Sequence, residues 1–252
     1  MRAAALRAAA AGVAAALAGP GSAAAAPVVL QDGHVDWGAR LVDGALRVQV
    51  KDGTAGSGAV VWRDPADVVF HVRPAARTSV PAGAAFAFLG TPGAPLWLLP
   101  QVQRPGVLWP GWNTEEIAGG QVAGPLTWTL DAVDGPGRFA LFSSGTFGGA
   151  TTLFDSGDGL PDTTTVPAGT HAHGNWAFGA EGRYLLTLTT RAALAPSGAT
   201  SDTRQLLVTV GAVDPASGAP LAAADPPPGA TPPAGPTPPG GGASPTPAPS
   251  RP

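Results

Sequence analysis

Apolar and polar residues alternate with a period of two through most of the chain, and helical spacing is nearly absent. In LRVQV, Leu46, Val48 and Val50 share one face and Arg47 and Gln49 the other. VVFHV sets Val68, Phe70 and Val72 against Val69 and His71, and LTWTL sets Leu126, Trp128 and Leu130 against Thr127 and Thr129. RYLLTLTT and RQLLVTV continue the alternation through Tyr184, Leu186 and Leu188 and through Leu206, Val208 and Val210. Short runs of this kind, separated by Gly, Pro, Asp and Ser, predict antiparallel strands with one buried face. Asp-Gly pairs start at residues 32, 43, 52, 134 and 158, where a turn needs positive φ. Asp43-Gly44, inside LVDGALRVQV, is the clearest hairpin turn. One helical turn is predicted at WNTEEI, with Asn113 as cap and Glu116 closing a capping box. The fold class is therefore all-β: a single antiparallel β-sandwich, Ig-like, of roughly seven to nine strands. It carries an irregular Trp/Pro-rich insertion near residues 90–120 and no internal repeat.

The two ends read differently. Residues 1–26 have the form of a signal peptide: Arg2 and Arg7, a short apolar run, then small residues up to Ala26. That run is too short for a membrane span, so no transmembrane segment is expected after cleavage. Residues 213–252 are rich in Pro, Gly and Ala, too poor in large apolar groups to repay ordering, and predict a disordered, semi-extended tail without a readable anchor. Residues 27–212 remain as one domain with a core. The net charge of −3 gives no electrostatic footprint for nucleic acid, and the absence of cysteine excludes disulfides, thiolate metal sites and thiol catalysis.

What chemistry remains centres on the four histidines, which lie in three short segments: DGHVDW, VVFHV and GTHAHGNW. On a strand, residues two apart project together, so His34 pairs with Asp36 and His171 with His173 and Asn175, while Trp176 and Phe178 face the core. If these segments are neighbours in a sheet, His34, Asp36, His71, His171 and His173 converge into a ligand set for Zn²⁺ or another imidazole-binding divalent metal. The opposing reading is polar decoration of a solvated strand face.

Other stretches carry less. Asp155, Asp158 and Asp162 in LFDSGDGLPD could offer oxygens to calcium, but the spacing is not that of an EF-hand and consecutive turns explain them better. Trp109 and Trp112, in the Pro-rich stretch with Trp97, are candidates for stacking on a sugar or a protein partner, if their indoles are not simply buried. Ser143 and Ser144 lack a nucleophile elbow. Glu115 and Glu116 are the general-base candidates should a metal hydrolase be involved, but no HExxH spacing accompanies them. The expectation is a non-enzyme.

Five strings in order, VLQDGHVDWGARLVDGALRVQVKDGT, WRDPADVVFHV, WLLPQVQRPGVLWPGWNTEE, FDSGDGLPD and GTHAHGNWAFGAEGRYLLTLT, resemble the actinobacterial surface-anchored protein domain, the choice-of-anchor M family. The resemblance spans nearly all of residues 28–211. It implies a secreted, cell-surface or wall-associated protein, accessory to an anchored-repeat type ABC transporter whose solute-binding component is similar to zinc and manganese binders. It implies no catalytic residues. With one domain copy and no anchor, the chain departs from that pattern, which favours release or non-covalent wall association. Two readings follow: a surface protein that captures a divalent metal, zinc or manganese, through its histidines, or an envelope module that binds wall glycan or a protein through the Trp-rich loop.

Overall fold

The alternation becomes strands throughout. The computed structural model describes residues 26–54, 58–145 and 148–217. The signal-peptide and tail readings therefore fall almost wholly outside the described residues. Where the tail was expected to begin, Val213 is still buried, so the folded part reaches at least that far.

Sixteen strands are present among the described residues. The first eight are β1 (Val28–Leu30), β2 (Gly33–Val42), β3 (Ala45–Asp52), β4 (Val61–Arg63), β5 (Val68–Val72), β6 (Arg77–Ser79), β7 (Pro95–Leu99) and β8 (Leu108–Asn113). The others are β9 (Leu126–Asp134), β10 (Phe139–Ser144), β11 (Ala150–Asp155), β12 (Asp162–Val166), β13 (His171–His173), β14 (Asn175–Phe178), β15 (Gly182–Leu194) and β16 (Gly198–Val210). They form a six-stranded sheet, β1-β5-β16-β15-β9-β12, and two five-stranded sheets, β11-β10-β14-β7-β6 and β13-β8-β2-β3-β4. The architecture is all-β and sandwich-like. Most ladders are antiparallel as expected, but β1–β5, β5–β16 and β2–β8 are parallel, so two of the sheets are mixed.

One core joins the three sheets. Val68, Phe70, Tyr184, Leu186 and Val208 enter it from the six-stranded sheet, Trp37, Val48 and Leu108 from the sheet of β2, and Leu99, Phe139 and Trp176 from the sheet of β14. Stripping the Trp37 side chain, which is 1% exposed, would cost about 3–5 kcal/mol. A smaller cluster of Val80, Leu89, Leu96 and Phe142 packs separately, with Phe86 and Phe88 of the 3₁₀ segment Ala84–Leu89 against it. None of the described helices is long and apolar enough to cross a membrane.

Local chemistry explains the connections. Asp43 and Gly44 both have positive φ (52° and 76°), so β2 and β3 meet in the two-residue turn predicted for them. Residues 90–120 are not merely an irregular insertion, because β7 pairs with β14 and β8 sits between β2 and β13. Pro110 is tolerated inside β8 because β13 pairs only with residues 111–113, leaving no strand on that side to miss its N–H. WNTEEI forms no helix. Asn113 Oδ1 accepts from the Glu115 N–H at 2.9 Å, and Ile117 N–H donates to Thr114 O at 3.0 Å, giving a turn at the end of β8.

Candidate metal centre

The sheet β13-β8-β2-β3-β4 brings two distant segments to one place. His34 and Asp36 project from the same face of β2, and His171 and His173 from the same face of β13, with β8 between them. Register sets Asp36 opposite Gly111 and Gly111 opposite His173, while Asn113 stands opposite both Gly38 and His171. A side chain at residue 111 would fill the gap. A Cβ there would collide with the Asp36 carboxylate and lie 2.7 Å from Ala172 O and 2.8 Å from His173 Cε1. Glycine in β8 is what lets the carboxylate and the imidazole face each other across the strand.

His34 Nε2, His171 Nε2 and Asp36 Oδ1 form a nearly equilateral triangle. Its edges are 3.1 Å (His34–Asp36), 3.2 Å (His34–His171) and 3.2 Å (His171–Asp36). A zinc ion bound tetrahedrally at about 2.0–2.1 Å holds its ligand atoms about 3.3 Å apart. The three atoms are therefore already spaced as one face of such a tetrahedron. With His173 included, the four ligand atoms lie within 4.8 Å of one another.

His173 adds a second indication. Both of its ring nitrogens are buried without a hydrogen-bond partner, although the Pro110 backbone lies near enough to act weakly on the ring. Its imidazole stacks on the Trp109 indole at 3.8 Å with an 8° interplanar angle, and Trp109 Nε1 donates to Gln101 O at 2.9 Å. Held flat against an anchored indole, this buried imidazole keeps one ring nitrogen within 4.8 Å of the other three ligand atoms.

Burial, the largest influence, pushes the Asp36 carboxyl up, but the His34 hydrogen bond and the charges of His34, His171 and His173 outweigh it and hold the group below the usual carboxylate range. Burial holds His173 below the usual imidazole value, with His34 and His171 adding to the effect against Asp36. Asp36 is fully buried, whereas the side chains of His34 and His171 are 30% and 32% exposed. The centre thus has a buried floor and a solvent-facing rim of imidazole. On that rim Glu115 Oε2 accepts from Lys51 Nζ at 3.2 Å and from Asn113 Nδ2 at 2.7 Å. Those two bonds, Asn113 first, keep the Glu115 carboxyl below its ordinary value.

Two expectations need correction. His71 does not join the cluster: β5 belongs to the six-stranded sheet, where it lies between β1 and β16 and is buried along its whole length. There the His71 ring is 6% exposed and its Nδ1 shares a 3.0 Å hydrogen bond with Thr209 Oγ1. Trp109 and Trp112 do not present free indoles either. Trp112 is 9% exposed within the core, and Trp109 lies stacked on the His173 ring. Asp155 and Asp162 make turn contacts as the blander reading held, through Gly157 N to Asp155 Oδ1 and Asp155 N to Asp162 Oδ2.

The histidine positions did not show Trp109, Gly111, Asn113 and Lys51 as part of the site. Three of them had a signal in WPGWN, where Trp109, Gly111 and Asn113 fall on one face by period two, whereas Lys51 comes in through the β2–β3 register opposite Asp36. Comparison with protein-family models, with curated proteins and with solved structures gives no match to this chain.

Proposed function

We propose that this chain is a non-enzymatic binding protein for a divalent transition-metal ion, zinc before others, held by His34, Asp36, His171 and His173. The observation that carries the reading is the 3.1–3.2 Å triangle of two imidazole nitrogens and one carboxylate oxygen, contributed by segments 137 residues apart. Three nitrogens and one oxygen suit zinc, nickel or copper better than calcium or magnesium, which take oxygen-rich sets, and the carboxylate leaves manganese as a weaker candidate. Four protein ligands also close a tetrahedral shell, which suits holding an ion rather than activating water on it.

The place of action is a further part of the proposal. The five strings that resemble the surface-anchored family, together with the leader-like first 26 residues, favour a cell-surface protein that is accessory to an ABC transporter for zinc or manganese. The part-exposed side chains of His34 and His171 leave the proposed ion reachable from solvent, as hand-over to a solute-binding component would need. Calorimetric titration of the protein with zinc tests the core of the reading. One ion per chain is expected, with binding lost in the His171→Ala/His173→Ala double variant and kept in His71→Ala. Equal, weak binding by wild type and double variant refutes it. Retention of the transporter's solute-binding component on immobilised protein, with and without zinc, tests the partner separately.

A further inference from the structure

We infer that Asn113 and Glu115 are positioning residues of the centre: Asn113 restricts Asp36 to a single ligand oxygen, and Glu115 holds His171 with Nε2 turned inward. The inference rests on the metal-binding reading above.

Asn113 is fully buried and uses both protons of its amide. Nδ2 donates to Asp36 Oδ2 at 3.2 Å and to Glu115 Oε2 at 2.7 Å. The first bond occupies Asp36 Oδ2, while Oδ1 is the oxygen that meets His34 and His171. A carboxylate presented in this way supplies one ligand atom, as a four-coordinate site of three imidazoles and one carboxylate requires. The same Asn113 side chain bends the chain at the end of β8, accepting the Glu115 N–H on Oδ1 at 2.9 Å. One residue thus fixes the position of a proposed ligand and of the carboxylate behind another.

His171 shows why that second carboxylate matters. Its Nε2 lies 3.2 Å from both Asp36 Oδ1 and His34 Nε2, while Nδ1 points the other way, 3.9 Å from Glu115 Oε2. An imidazole that binds a cation through one nitrogen carries its proton on the other, and a carboxylate on the side of that N–H favours this tautomer. Lys51 opposes this effect. Its Nζ sits 3.2 Å from the same Glu115 oxygen, and Lys51 is the register partner of Asp36 on β3. Lys51 therefore attenuates the negative charge seen by His171 and places a cation near the bound ion.

Glu115→Gln removes the charge but keeps an acceptor for Asn113 and Lys51, at a side chain that is 45% exposed, so the fold should stand. Zinc affinity, measured by competition with a chromogenic chelator, is expected to weaken about ten- to a hundredfold, while the melting temperature of the metal-free protein stays put. Lys51→Met is expected to bind zinc more tightly than wild type. Nitrogen-15 NMR of the zinc-loaded wild type is expected to show His171 protonated at Nδ1 and metal-bound at Nε2. Wild-type affinity in Glu115→Gln, no gain in Lys51→Met, or coordination of His171 through Nδ1 overturns this inference while leaving the metal site intact. Failure of the wild type to bind zinc removes the metal reading itself, and this inference with it.

Discussion

Replacing Gly111 with alanine adds one methyl group at the point where the proposed ligands approach most closely. The new Cβ would stand 2.8 Å from His173 Cε1, where ordinary contact begins at 3.4 Å, so the ring has to retreat by about 0.6 Å. It would also overlap the Asp36 carboxylate and press on Ala172 O at 2.7 Å, so β2 and β13 are both pushed away from β8. Metal–ligand distances tolerate about 0.2 Å, a third of that displacement. Overpacking of this kind costs about 1–3 kcal/mol in the metal-free fold. Gly111→Ala should therefore lose about that much stability in urea titrations and at least about tenfold in zinc affinity, one unit of log K being about 1.4 kcal/mol. Gly119→Ala is the control: nothing lies within 4 Å of its added Cβ, and both quantities should match wild type. Zinc binding by Gly111→Ala with wild-type affinity would refute the reasoning, because the ligands would then not depend on close approach across β8.

Other expectations concern stability and pH. The Asp52 carboxylate, 1% exposed, accepts from Thr54 N–H and Oγ1 and from Arg63 Nε at 2.7 Å; burial pushes its pKa up, but these bonds bring it below 3.8. Its stabilisation is present above the unfolded value, near 3.8, and is lost as pH falls through the lower folded value, so Asp52→Asn should flatten the acid limb of an unfolding-versus-pH curve and cost about 1–3 kcal/mol at pH 7. Burial holds His71 below 6.5, so the unfolded chain takes up its proton first, and stability should fall as pH drops from 6.5 toward the folded value; His71→Gln should remove part of that fall between pH 7.5 and 5. Tyr184, whose pKa burial pushes up to about 12, donates to Ala180 O at 2.9 Å, and Tyr184→Phe should cost about 1 kcal/mol in urea unfolding. Its ring should remain packed, since a Cβ on Gly135 would already collide with it.

The core strands were readable because period-two alternation is a local signal. Leu46, Val48 and Val50 fall inward on β3 just as the pattern requires, and Asp43-Gly44 announces the turn before it. The strands β7 and β8 were hidden by proline and tryptophan. Pro95 opens β7, and Pro110 survives inside β8 only because β13 is three residues long, a fact about a neighbour that no local pattern contains. The pairing of His34 with Asp36, and of His171 with His173, followed from strand geometry. That those pairs meet, and that His71 stays away, depended on sheet order: β2 and β13 both flank β8, whereas β5 lies in another sheet. VVFHV also read as one-sided, yet β5 is covered on both faces, which turns His71 from a candidate ligand into a buried hydrogen-bonding partner of Thr209.

The most direct test is anomalous diffraction at the zinc edge, from crystals of the protein grown with one equivalent of zinc. One peak is predicted, within about 2.0–2.1 Å of His34 Nε2, His171 Nε2 and Asp36 Oδ1, with His173 supplying the fourth ligand. A peak elsewhere on the molecule, or none while the four side chains keep their positions, would contradict a metal centre on this sheet.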